Sequence, residues 1–240
     1  MQQYFISEKI EPNQILYFSK EQENHISKVL RMREGEIVKV VDTEFQPYLA
    51  KIHFHEKQLY ASIFEKLKKQ EENLKITLIQ GMIKKEKWEL LIQKCCELGV
   101  TDIVPMISSR TVVKVSKDDL KKKERYNKIA LEACEQCKRD SLVKVATPIR
   151  YHDITKYKSE LNIIAYEEAD FESMSLKQLL NQYPEVKSIT FIIGSEGGFS
   201  QAEVEYAKES GFLCVSLGKR ILRAETAAMA VVNITHYHLD

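Results

Sequence analysis

The chain lacks a strong charge of either sign, long apolar runs and paired cysteine motifs, and each absence removes a class of function. Its 36 lysines and arginines stand against 35 aspartates and glutamates, a formal net charge of +1. Any nucleic-acid surface must therefore come from local clustering, not from the global balance. The five cysteines are an odd number and show no zinc-like pairing of CxxC motifs, which argues against a zinc module or a disulfide framework and for a reduced, cytoplasmic setting. No apolar stretch approaches the roughly 20 residues of a membrane-spanning helix. The first residues, MQQYFISEKI, have no apolar core behind a basic start and do not read as a signal peptide. What is present, 44% hydrophobic and 30% charged residues over 240 positions, is the composition of an ordinary globular protein with one large domain or two modest ones.

The pattern along the chain divides in two. Residues 1–70 read as a small β-rich unit. Ile37–Val41 is a β-branched run after a turn at Gly35, Tyr48, Ala50, Ile52 and Phe54 alternate with polar residues, and Leu59–Phe64 gives a third strand. Before them Glu21–Arg33 has helical spacing, with Ile26, Val29, Leu30 and Arg33 in step. Short strands plus one helix suggest a small barrel. The charge-dense stretch Lys66–Asn73 is the best domain boundary. Residues 74–240 then alternate strands and helices, the pattern of a mostly parallel sheet. Strands are expected at Lys75–Gln80, at Asp102–Met106 (stopped by Pro105), and at Leu161–Ala165, Ser188–Ile193 and Leu213–Leu217. Helices are expected at Lys87–Leu98, Asp118–Arg139, Gln201–Ser210 and Glu225–Tyr237.

Two loops near the end belong together. Ile193-Gly194-Ser195-Glu196-Gly197-Gly198-Phe199-Ser200 follows a buried strand and leads into a helix, because Ser200 and Glu203 form a capping box. Gly197 and Gly198 let a ligand approach the backbone. The second loop, Leu217 to Ala227, carries Gly218 and the basic stretch Lys219–Arg223, whose fixed charges at Arg220 and Arg223 suit a phosphate or polyanion. Taken singly, the first is also a plain strand-to-helix turn and the second a solvated basic loop. Neither is a Walker A motif, a GxGxxG fingerprint or a GxSxG elbow. An anion cradle at Gly194–Gly198 lacks a P-loop lysine and a metal-binding acidic pair.

These segments resemble the GPEGG-type and LG-R-ILR-ETA signatures of the RsmE family, SPOUT-class methyltransferases. The resemblance runs the length of the chain. It takes in His25 to Arg31 with Gly35, then Lys87 with Glu89, Lys94 and Glu97-Leu98-Gly99-Val100, then Glu135-Gln136 with Arg139. It implies a PUA-like β-barrel, 1–70, before an α/β domain with a trefoil knot, 74–240, working as a homodimer. It also implies transfer of methyl from S-adenosylmethionine to N3 of a uridine in 16S ribosomal RNA of the small subunit, with no metal and no membrane. The alternative is a non-catalytic RNA-binding assembly factor that kept the fold.

By position, cofactor contacts are implied at Gly194, Glu196, Gly197 and Gly198 in the first loop. The second supplies Leu217, Gly218, Ile221, Leu222, Arg223, Thr226 and Ala227, and the end of an earlier strand adds Ala165, Tyr166 and Glu167. Two departures stand out: Ser195 occupies the family's usual proline position, and Gln2 and Gln3 precede Tyr4 and Phe5 where members often carry arginines.

Uracil N3 is a poor nucleophile until its proton leaves, so the site must stabilise the developing anion, accept the proton, or both. Arg139 and then Arg223 are expected to act on the substrate, with Glu225 or Glu196 as candidate base. Lys28, Arg31 and Arg33 in the barrel, with Lys87 and Arg220, are expected to meet RNA. Lysine runs at Lys84–Lys87 and Lys121–Lys123 fit RNA contact or a solubilising surface. Cys134 and Cys137 share a helical stripe with Tyr126, Ile129, Ala130 and Ala133 and read as core. His53 and His55 read as a solvated strand face, and His236 and His238 as helix-end residues.

Overall fold

The computed structural model describes residues 1–11, 14–56, 58–111, 119–166 and 174–239, without the side chains of residues 119–121. It divides into two compact units: Met1–Glu71 with Cys134–Ser141, and Glu72–Ala133 with Leu142–Asp240.

The first unit is built on a five-stranded sheet of β1 (Gln3–Phe5), β2 (Ile15–Tyr17), β3 (Ile37–Val41), β4 (Pro47–His55) and β5 (Gln58–Lys66), in the order β1-β3-β4-β5-β2. Only β1 and β3 run parallel; the other pairs are antiparallel. The alternation along the strands sends Leu16, Val38, Val40, Ala50, Ile52 and Ala61 into one core with Ile26. Helix α1 (Lys20–Asn24) starts in a capping box between Ser19 and Gln22. It does not continue as an α-helix to Arg33. A π-helical turn, His25–Val29, takes over, Leu30 donates to the His25 carbonyl, and Arg31 adopts φ 52°. The wider turn breaks the 3.6-residue repeat, so Ile26 points inward while Val29 and Leu30 stay exposed.

The segment Cys134–Ser141 counts with this unit because polar groups fix it there. Gln3 Nε2 donates to the Arg139 carbonyl at 2.6 Å and Phe5 N–H to Glu135 Oε1 at 3.1 Å. Lys39 Nζ pairs with Asp140 Oδ1 at 2.5 Å and donates to the Lys138 carbonyl at 3.2 Å. Asp140 Oδ2 also accepts from Gln70 N–H at 2.8 Å. Gln3 and Asp140 are buried, at 0% and 3% exposure.

The second unit holds seven parallel strands: β6 (Lys75–Gly81), β7 (Asp102–Ile107), β8 (Lys144–Val145), β9 (Ile149–Arg150), β10 (Leu161–Ala165), β11 (Ser188–Ile193) and β12 (Leu213–Val215). Their order is β12-β10-β11-β6-β7-β8, with β9 also beside β7. Among the described residues five α-helices accompany them: α2 (Lys85–Glu97), α3 (Asp119–Cys137), whose last residues count with the first unit, α4 (Leu176–Gln182), α5 (Gln201–Glu209) and α6 (Ala224–Leu239). β10 and β11 are almost uninterrupted apolar runs because the central strands of such a sheet are covered on both faces.

Pro105 does not stop β7, which runs on to Ile107. In a strand, residues two apart aim their backbone groups to the same side. Ile103 faces β8, where its carbonyl accepts from Ala146, so the position of the missing Pro105 N–H faces the same edge. There β8 pairs only Asp102 and Ile103, and β9 only Met106 and Ile107. Proline falls in the gap between the two short strands and costs no ladder bond. The second unit is α/β, a parallel sheet with helices, and the first is a small β-rich unit. No helix among the described residues is long and apolar enough to cross a membrane.

Candidate functional site

Four neighbouring parallel strands, β12, β10, β11 and β6, bring their C-terminal ends to one edge of the second unit's sheet. Ligands of open α/β sheets bind at that edge. The turn after β11 is tight: Gly198 N–H returns to the Ser195 carbonyl at 3.0 Å, and Gly198 has φ +65°. Beneath it lies Gly81, the last residue of β6. A Cβ there would stand 2.4 Å from Ser195 N and 2.7 Å from Gly194 C. Only a glycine lets the loop cross the strand end. Buried Gln80 braces the crossing, its amide donating to the Gly81 and Gly194 carbonyls at 3.0 and 2.9 Å. Ser200 caps α5 through Glu203, as its spacing implied.

The loop after β12 is held by its other flank. Ser216 donates to the Met174 carbonyl and accepts from Leu176 N–H at its own carbonyl, and its Oγ accepts from Gly218 N–H at 3.2 Å. Gly218 has φ +113°, a conformation L side chains rarely adopt, and nothing lies within 4 Å of the Cβ position.

The two loops enclose a cavity of about 640 Å³. Gly194, Glu196 and Gly198 line it from the first loop, and Leu217, Gly218, Ile221, Leu222 and Arg223 from the second. Ala227 of α6, Ala165 at the end of β10 and Tyr166 just after it also line the cavity. Lys87 and Arg220, expected at RNA, also line it.

Gly197 and Thr226 are not among the lining residues. Gly197 is turned to Arg110, whose guanidinium donates to its carbonyl at 3.2 Å, and Thr226 is exposed on the first turn of α6. Glu167 lies outside the described residues. Arg139 counts with the first unit, as do the exposed Lys28, Arg31 and Arg33. Sequence reasoning missed Ser175, Gln178, Ser195, Ser216, Lys219 and Ala224 on the lining. Ser175 and Gln178 form a capping box for α4, a serine-x-x-glutamine spacing readable in the chain.

Charge at the rim is organised around Lys87. Its Nζ lies 3.6 Å from Glu196 Oε1 and 3.6 Å from Glu225 Oε1. Glu196 Oε1 also accepts from Lys84 N–H at 3.4 Å. Glu225 is only 8% exposed, and its Oε2 is buried with no hydrogen-bond partner among the described residues. Behind the first loop, burial pushes the Glu203 carboxyl up, but hydrogen bonds from Ser109 and Ser200 outweigh it and hold the group below the usual carboxylate range. Ser195 Oγ lies 3.4 Å from the Arg110 carbonyl. Serine thus adds a tie that a proline at this position would lack.

The remaining candidates are structural. Cys134 is buried and Cys137 partly so. His53 is partly buried and bridges Glu34 and Ser62 Oγ at 2.7 and 2.8 Å. Among the described residues no group of three His, Cys, Asp or Glu side chains is arranged to hold a metal.

Residues 70–236 match the family model of an RNA methyltransferase domain, and residues 18–64 that of an RNA methyltransferase PUA domain. The chain belongs to the ribosomal RNA small subunit methyltransferase E family. It is 34% identical to the family's protein from Mesomycoplasma hyopneumoniae, over 95% of this chain and 96% of that one. It is 30% identical to the Bacillus subtilis member, over 100% and 98%. Among solved structures, a Legionella pneumophila methyltransferase in complex with bound cofactor SAM superposes with TM-score 0.88 and 32% identity, covering 98% of this chain and 96% of that chain. The Neisseria gonorrhoeae family member bound to S-adenosylmethionine gives TM-score 0.88 and 30% identity, covering 99% and 97%.

Proposed function

We propose that the protein transfers a methyl group from S-adenosylmethionine to N3 of a uridine in 16S ribosomal RNA. The observation that carries this reading is the pair of glycine loops around one cavity, in a family whose Neisseria gonorrhoeae member is solved with that cofactor bound. The residues fit such a ligand. Gly218 leaves open space where a side chain would project, apolar groups at Leu217, Ile221, Leu222 and Ala227 offer an adenosine-sized wall, and exposed backbone offers donors and acceptors. When bound, the cofactor supplies an electrophilic methyl on sulfonium sulfur.

The chain's own residues bind, orient and handle charge. The eleven lining residues at positions the resemblance implies, with Gly197, Thr226 and Glu167 beside them in sequence, form the cofactor set. Arg223 and Arg220 add positive charge to the second loop, suited to the RNA backbone. Arg139 positions the substrate, and Lys28, Arg31 and Arg33 on the barrel take phosphates. Residues 1–70 serve as the RNA-binding domain and 74–240 as the catalytic one. The knotted topology, the homodimer and a cytoplasmic location belong to the same reading.

The test is mass spectrometry of 16S ribosomal RNA from cells with and without the protein. N3-methyluridine should vanish from one sample, and equal amounts in both refute the proposal. Calorimetry separates the enzyme from an assembly factor that only kept the fold, because the latter has no measurable affinity for S-adenosylmethionine.

A further inference from the structure

The proposed reaction, on which this inference rests, leaves one question of chemistry: where the uracil proton goes and what holds the charge it leaves behind. We infer that Glu196 accepts that proton and that Lys87, held in place by Glu225, stabilises the uracil anion. The assignment comes from how the three side chains are buried. Glu196 and Lys87 line the cavity with side chains about one-third exposed, 32% and 33%. Glu225 is not among the lining residues; its side chain is 11% exposed, its Oε2 is buried, and its Oε1 lies 3.6 Å from Lys87 Nζ. A group that takes a proton from substrate must be reachable, and a group that fixes a neighbouring cation need not be. The accessible carboxylate is therefore the acceptor and the buried one the positioning residue.

Charge balance supports the same division. Lys87 faces two carboxylates, each at 3.6 Å, a separation that leaves its ammonium hydrogen bonds available to a third group. Substrate N3–H gives its proton to a Glu196 oxygen. N3 then uses the freed electron pair to bond the methyl carbon, while the C–S pair stays on sulfur. The products are neutral N3-methyluridine, a thioether and a protonated Glu196, which returns its proton to water. As Glu196 becomes neutral, the negative charge moves to the uracil oxygens. Through the proton transfer Lys87 keeps two anionic neighbours, Glu225 and one other, and methyl transfer then neutralises the uracil. No net charge is created beside it, which is how preorganised electrostatics lower a barrier. A uracil edge offers an N–H donor between two carbonyl acceptors. Cytosine presents a bare N3 lone pair, which a carboxylate repels, so the same pair of residues selects uridine.

The test uses the full chain with Lys87→Met, Glu196→Gln, Glu225→Gln and the Lys87→Met/Glu225→Gln pair. Single-turnover methylation is read at saturating RNA and cofactor, with RNA affinity against salt and S-adenosylmethionine affinity measured separately. Lys87→Met and Glu196→Gln should each slow the saturated rate by about 100-fold or more, with RNA affinity and its salt slope unchanged. Glu225→Gln should slow it by about tenfold, and adding it to Lys87→Met should cost nothing more, because it acts through that lysine. A full saturated rate in Lys87→Met, with weaker RNA binding and a salt slope reduced by about one, makes Lys87 a phosphate contact and overturns the inference. So does a full rate in Glu196→Gln, or a multiplicative loss in the pair. Absence of N3-methyluridine with the unsubstituted protein overturns the proposed function and this inference with it, an outcome distinct from variants that keep full activity.

Discussion

Gly81 and Gly218 are required for different reasons, and substituting each by alanine should separate collision from backbone strain. At Gly81 the added Cβ would lie 2.4 Å from Ser195 N and 2.7 Å from Gly194 C, both backbone atoms that no rotamer change can move. Restoring ordinary contact needs a displacement of roughly 1 Å between β6 and the first loop, and overpacking of this kind costs about 1–3 kcal/mol. Where the loop yields and the cofactor must pull it back, that energy is subtracted from binding. At about 1.4 kcal/mol per tenfold, Gly81→Ala should weaken S-adenosylmethionine binding about 5- to 150-fold and lower the melting temperature of the free protein. Gly218→Ala meets nothing within 4 Å but must hold φ +113°, a strain of about 1–3 kcal/mol. Calorimetry and thermal melting of both variants decide the matter. Wild-type affinity and melting temperature in Gly81→Ala would refute the loop-crossing account.

Further expectations follow from buried charge and packing. Glu203→Gln should destabilise the protein by about 1.5–3 kcal/mol at neutral pH, the worth of hydrogen bonds to a charged group. Because folding depresses this carboxyl, its contribution is present above the unfolded value near 4.3 and is lost as pH falls through the lower folded value. The gap in melting temperature between wild type and Glu203→Gln should therefore close in acid. Asp140→Ala strands buried Lys39 and should cost about 3–5 kcal/mol in urea unfolding, while Lys39→Met with Asp140→Leu should cost less than Asp140→Ala alone. Trp88, the chain's single tryptophan, is fully buried on α2 and packs edge-on against Tyr126 at 5.8 Å. Trp88→Ala should cost about 3–5 kcal/mol, and the native tryptophan should emit at short wavelength that shifts to the red on unfolding.

The longer strands of both units were legible because their signal is local, whereas β1, β2, β8 and β9, two or three residues each, are too short to carry a period and were not. β3, β10 and β11 occupy Ile37–Val41, Leu161–Ala165 and Ser188–Ile193, the ranges their apolar runs imply. The Ser200–Glu203 capping box was equally readable. Errors arose where a neighbour overrides the local rule. Pro105 reads as a stop until two short strands leave it a gap, and His25–Leu30 reads as α-helix until a π turn rotates Val29 and Leu30 outward. Gln3 stands where family members often carry an arginine, and nothing in its local sequence shows that it is buried against the Arg139 carbonyl. At the cavity, glycine and serine spacing marked the loops. The grouping of Lys87 with Glu196 and Glu225 depends on three distant segments and has no signature in any one of them.

The pairing of Lys39 with the Lys138–Asp140 segment has a consequence for synthesis. The Lys39 ammonium emerges from the ribosome early, but the Lys138 carbonyl that accepts from it is 99 residues further along the chain. At about 5–20 residues per second, the growing first unit waits on the order of 5–20 s before the Lys39 charge can be neutralised. During that interval a nascent chain has β1 to β5 but not the peptide that seals them. A fragment ending at residue 71 is arrested at the same stage, and ribosome-stalled chains should gain protease resistance in the first unit's sheet only once Ser141 has cleared the exit tunnel.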